Sequence, residues 1–132
     1  MKRTDQREWV FKLIFQDTIN KIEDDVEILA NHDLSGDETF IVDSIKSYKN
    51  NFEKIDHILQ ENIPKGMPKL NRVVKSIIYL SINEIYFLDI PVSVSINEAV
   101  NLAKKFSAED DYKIVNLILG NIVRNDNKWE SL

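Results

Sequence analysis

The stretch from Leu70 to Leu88 limits the possible folds more than any other part of the chain. Leu70, Val73, Val74, Ile77, Ile78, Leu80, Ile82, Ile85, Phe87 and Leu88 fall within it. On a helix they cover most of the circumference, so such a helix must be surrounded by others. The β-branched residues are compatible with a strand, but the length favours a helix. Pro64-Lys-Gly-Met-Pro68 breaks the chain before it, and Asp89-Ile-Pro91 ends it. Lys75, Ser76, Ser81, Asn83 and Glu84 interrupt the apolar run. No uncharged apolar stretch reaches the length of a membrane span, and none is expected.

The flanking segments repeat the helical period. Thr4 is placed to cap a first helix, with Asp5 in its first turn. Val10 or Phe11, Ile14 or Phe15, Ile19 and Ile22 follow at helical spacing, and a short second helix fits 23–31. Ile41, Ile45, Tyr48, Phe52, Ile55 and Leu59 then form an apolar seam along a helix from about Glu38 to Asn62. Asn50-Asn51 marks a bend or break in it, because asparagine is a poor helix former. Ser95-Ile-Asn-Glu98 and Ser107-Ala-Glu-Asp110 each read as a capping box opening a helix. The expected architecture is all-α: residues 1–132 as one compact helical bundle of about six or seven helices.

Composition removes several classes of chemistry. The 132 residues contain no cysteine, which excludes disulfides, thiolate metal sites and cysteine nucleophiles. His32 and His57 are the two histidines. There is no glycine-rich phosphate loop and no paired-histidine motif. Asp24-Asp25 and Glu109-Asp110-Asp111 are acidic, but neighbours on a helix do not face one another, so they make weak metal sites. Neither an enzyme nor a cofactor is expected. A charged N-terminus without an apolar run and the absence of cysteine point to a reducing, cytoplasmic setting.

The net charge is −5, from 17 basic and 22 acidic residues, which argues against a nucleic-acid binder on average. The charge is uneven, however. Residues 17–44 hold nine acids against one base, while 62–83 hold Lys65, Lys69, Arg72 and Lys75 with no acid before Glu84. These are either ordinary solvated faces or an acidic lobe beside mildly basic patches. Two residues stand out. Glu84 lies in the most apolar segment, where a carboxylate is costly unless paired or at a rim. It either has water or a local partner there, or it meets a basic group of another protein. Phe15 is either core or a contact anchor.

The run Ile-Asn-Glu-Ala-Val-Asn-Leu-Ala-Lys-Lys-Phe-Ser-Ala-Glu-Asp at 96–110, followed by Lys113-Ile-Val-Asn116, resembles the C-terminal signature of the NusB family. Asp89-Ile-Pro91, Glu84 in the apolar helix, and Arg7-Glu8 with Phe15-Gln16 near the start fit the same pattern. The resemblance spans nearly the whole chain in order. It is strong over 70–124 and weaker over 17–62. It implies an all-helical, non-enzymatic antitermination factor. Such a factor pairs with NusE, a small-subunit ribosomal protein, on single-stranded boxA RNA, and joins the antitermination complex on RNA polymerase during ribosomal RNA synthesis. By position, it assigns Lys2, Arg3, Arg7, Asp110, Lys113 and Ile114 to the RNA side. Phe15, Ile19 and Glu84 fall on the NusE side. The chain also departs from the family. Thr4, Asp5 and Gln6 lie where relatives often carry arginine, Tyr79 replaces a common arginine, and Ile114 replaces a phenylalanine that could stack on a base. These departures point to weak RNA binding without the partner. The competing expectation is a protein-interaction module with little RNA binding of its own.

Overall fold

The computed structural model describes residues 1–23 and 39–126. Six α-helices and no strand occur among them: α1 (Arg3–Ile19), α2 (Thr39–Asn50), α3 (Phe52–Glu61), α4 (Arg72–Phe87), α5 (Val92–Phe106) and α6 (Asp111–Asn125). The short helix expected at 23–31 falls almost wholly outside the described residues, and Trp129 lies outside them too.

α4 is the axis of the bundle and packs against each of the other five described helices. Ile77, Ile78, Leu80 and Ile82 on it are fully buried, as its all-round apolar pattern demands. The polar residues that interrupt that pattern tie it to its neighbours. The Asn83 amide donates to the Ser44 carbonyl on α2 and accepts from the Ser47 hydroxyl. The Ser81 and Ser95 hydroxyls meet at 2.8 Å, joining α4 to α5. A buried polar group costs most when it has no partner, so each of these bonds specifies one register of α4 against its surroundings.

The seam expected as one long helix is two. Residues of α2 and α3 keep the apolar period, with Ile41, Ile45, Tyr48, Ile55 and Leu59 all buried. The helix breaks at Asn51, whose amide turns back to the Ser47 carbonyl. Competition of this kind between side chain and backbone is why asparagine interrupts helices.

Three expected caps are not formed. α1 starts at Arg3, after Lys2, with no side-chain cap. α5 starts at Val92, immediately after Pro91, so Ser95 lies inside the helix and is buried. Proline just before the first turn sets φ for the helix, and Ser95 is released for other bonds. Ser107 ends α5 rather than opening α6, and Asp110 precedes α6 in the left-handed region at φ 74° with no side-chain cap bond. Asn71 caps α4, accepting from the Val74 N–H at 2.8 Å.

Candidate RNA and partner surfaces

Arg7 and Glu84 are expected on two different surfaces. They bind each other. Arg7 on α1 donates its Nε to Glu84 Oε2 at 2.7 Å, and they are 4% and 2% exposed. The Ser95 hydroxyl donates to the other carboxylate oxygen at 2.9 Å, and Glu98 lies 3.7 Å from Arg7. Burial pushes the Glu84 carboxyl above the usual range, opposed by the charge and hydrogen bond of Arg7. Arg7, which the resemblance puts on the RNA side, thus lies in a core ion pair, and Glu84 has the local pairing that was its alternative. Together they tie α1, α4 and α5.

The remaining expected residues are at the surface. Lys2 and Arg3 are exposed at the start of α1, with the Arg3 guanidinium 3.9 Å from the centre of the Phe40 ring. Asp110 and Lys113 are exposed and paired at 3.3 Å, and Ile114 is half-buried. On the partner side, Phe15 is half-buried with its ring near that of Phe11, and Ile19 is 55% exposed. These two make a small apolar patch at the end of α1, without Glu84.

The structure adds residues that were not singled out from the sequence. Lys104, Lys105 and Phe106 close α5, and Tyr112 opens α6. The Lys104 ammonium sits 4.8 Å from the centre of the Tyr112 ring, and Lys113 lies 6.0 Å from it. Lys12 of α1 lies between the Trp9 and Phe106 rings, at 5.6 and 5.7 Å. Lys105 pairs with Glu8. Cations interleaved with half-buried rings are the side-chain set that holds phosphates and lets bases stack. The sequence signal for this set is Lys104-Lys105-Phe106 followed by Tyr112-Lys113, immediately before the aliphatic Ile114. Beside this cluster, Asp111 accepts from the Ser107 hydroxyl and from the Asn71 amide. The Ser107 bond, first, holds its carboxyl below the usual range.

The family model for NusB matches residues 4–124. The chain belongs to the NusB family. The transcription antitermination protein NusB of Clostridium novyi is 38% identical over 135 residues, covering 94% of this chain and 99% of that one. The same-named protein of Acetivibrio thermocellus is 39% identical over 132 residues, with 94% and 90% coverage. A solved structure of T. maritima NusB superposes with a TM-score of 0.83 at 28% identity, over 98% of both chains. NusB membership places the chain among non-enzymatic transcription antitermination factors. Among the described residues no helix is long and apolar enough to cross a membrane.

Proposed function

We propose that the chain is an RNA-binding adaptor that pairs with a NusE-like small-subunit ribosomal protein on boxA-type single-stranded RNA. It supports antitermination on RNA polymerase during ribosomal RNA synthesis, in the cytoplasm. The observation that carries this reading, beyond family membership, is the cluster of cations and rings where α5 meets α6. Lys104, Lys105 and Lys113 supply charge for phosphates, while Tyr112 supplies the stacking face that Ile114 lacks. Asp110 can accept from a base amino group or a ribose hydroxyl. Phe15 and Ile19 form the apolar patch for the ribosomal protein.

One observation favours the protein-interaction alternative. With Arg7 in the core, Lys2 and Arg3 are the cations left from the thin basic start. The two readings separate in a titration of boxA-like RNA against the full chain, with and without the NusE-like protein. The adaptor reading expects weak binding alone and a clear gain with the protein. No RNA binding in either case, with protein pairing intact, leaves the interaction module.

A further inference from the structure

A cavity lies elsewhere, between the end of α1, the α2–α3 break and the start of α4. It has a volume of about 720 Å³. Six cations line it: Lys21, Lys49, Lys54, Lys69, Arg72 and Lys75, against the acids Asp17 and Glu53. In a chain of net charge −5, that is a marked local excess of positive charge. Two of the cations are committed, Lys49 to Asp17 and Arg72 to the Thr18 carbonyl. Lys21, Lys54 and Lys69 are exposed.

The wall of this pocket is aromatic. Tyr48, Phe52 and Tyr79 line it, with ring centres 5.5 to 6.1 Å apart. Phe52 is 38% exposed, with its ring set edge-on to those of Tyr48 and Tyr79. The Tyr48 hydroxyl is buried and has no hydrogen-bond partner, and a buried polar group left in that state is costly. Charge for a phosphate, a partly exposed ring for a base and an unspent hydroxyl together describe a site for a nucleotide. An acidic peptide would use the lysines but not the ring.

The pocket also adjoins the RNA surface. Asn71, next to the lining residues Leu70 and Arg72, donates to Asp111 at 3.1 Å, and Asp111 lies between Asp110 and Tyr112. We propose that the pocket is a second RNA subsite, taking a nucleotide that flanks the segment held at the start of α6. This rests on the RNA-adaptor reading above.

The experiment uses the full chain. UMP is titrated into the ¹⁵N-labelled protein by NMR. In parallel, fluorescence anisotropy with the NusE-like protein present compares a boxA-like RNA with the same RNA carrying about four extra uridines on each side, a length within the span of one single-strand site. UMP should shift the amides around Phe52, Lys54 and Lys69, and the flanks should tighten binding by about ten-fold. The exposed-site double variant Lys54→Ala/Lys69→Ala should remove the gain from the flanks and leave the short RNA unchanged. It should also reduce the salt slope of the long RNA by about 1.4, at roughly 0.7 per phosphate contact. Phe52→Leu, which keeps apolar bulk but not the ring face, should erase most of the same gain. Binding of the short RNA with no gain from flanks overturns the pocket alone. Failure of the short RNA to bind overturns the adaptor reading. A poly-glutamate peptide that shifts the pocket amides as strongly as UMP overturns the assignment to a nucleotide.

Discussion

The Arg7–Glu84–Ser95 cluster explains why a carboxylate sits in the most apolar helix of the molecule. Removing one partner of a buried pair strands the other charge, whereas the intact pair contributes little net stability. Arg7→Ala should therefore destabilise the fold by about 3–5 kcal/mol, read as a fall in Tm, and any loss of RNA affinity should follow the loss of folded protein. Unchanged Tm with weakened RNA binding would return Arg7 to the surface. The pH dependence follows from the sign of the Glu84 shift. Its folded carboxyl binds a proton more readily than the unfolded one. Stability from this group is then greatest below the unfolded carboxylate range, and it falls as pH rises through the elevated folded value. Glu84→Gln should remove that falling component from a denaturation series across mildly acidic pH. Retention of the same component would locate it in another group.

At the scale of elements, the junction between α5 and α6 departs furthest from its sequence reading. The spacing makes Ser107 a cap and Asp110 its return bond, yet Ser107 turns its hydroxyl to Asp111 and Asp110 adopts a left-handed backbone. Glycine accepts that backbone more readily than aspartate. Asp110→Gly should therefore leave stability unchanged or raise it by up to about 1 kcal/mol, while RNA binding falls if the carboxylate reads a base or ribose. A drop in both would mean that the Asp110–Lys113 pair matters more to the fold than its exposure suggests. Asn71→Ala should cost about 1 kcal/mol through the lost α4 cap, measured by urea denaturation. Helix existence was legible because apolar spacing reports which face is buried. Helix ends were less so: a serine three residues before an acid fits a cap, but it fits a buried cross-helix bond equally well. Which occurs depends on what α4 presents to Ser95, and local spacing does not contain that. Arg7 and Glu84 were hidden for the same reason, since their pairing joins residues 77 positions apart.

Across the whole molecule, net charge is a poor guide because the positive residues are gathered where the helices end. Lys104, Lys105 and Lys113 share the α5–α6 junction, and Lys2 and Arg3 lie at the start of α1, while Arg7 contributes to neither surface. RNA affinity should therefore respond to the junction and the N-terminus as separate sources of phosphate contact. Each contact releases counterions and adds roughly −0.7 to the slope of log affinity against log salt on single-stranded RNA. Arg3→Ala combined with Lys113→Ala should weaken binding in the presence of the NusE-like protein and flatten the slope by about 1.4. Neither change touches the core, so Tm should hold. Anisotropy across a salt series gives both quantities from one set of samples. A slope that stays unchanged when affinity falls would mean these side chains meet bases or the ribosomal protein rather than phosphates. If affinity and slope both stay unchanged, the RNA follows a path that avoids both ends of the proposed surface.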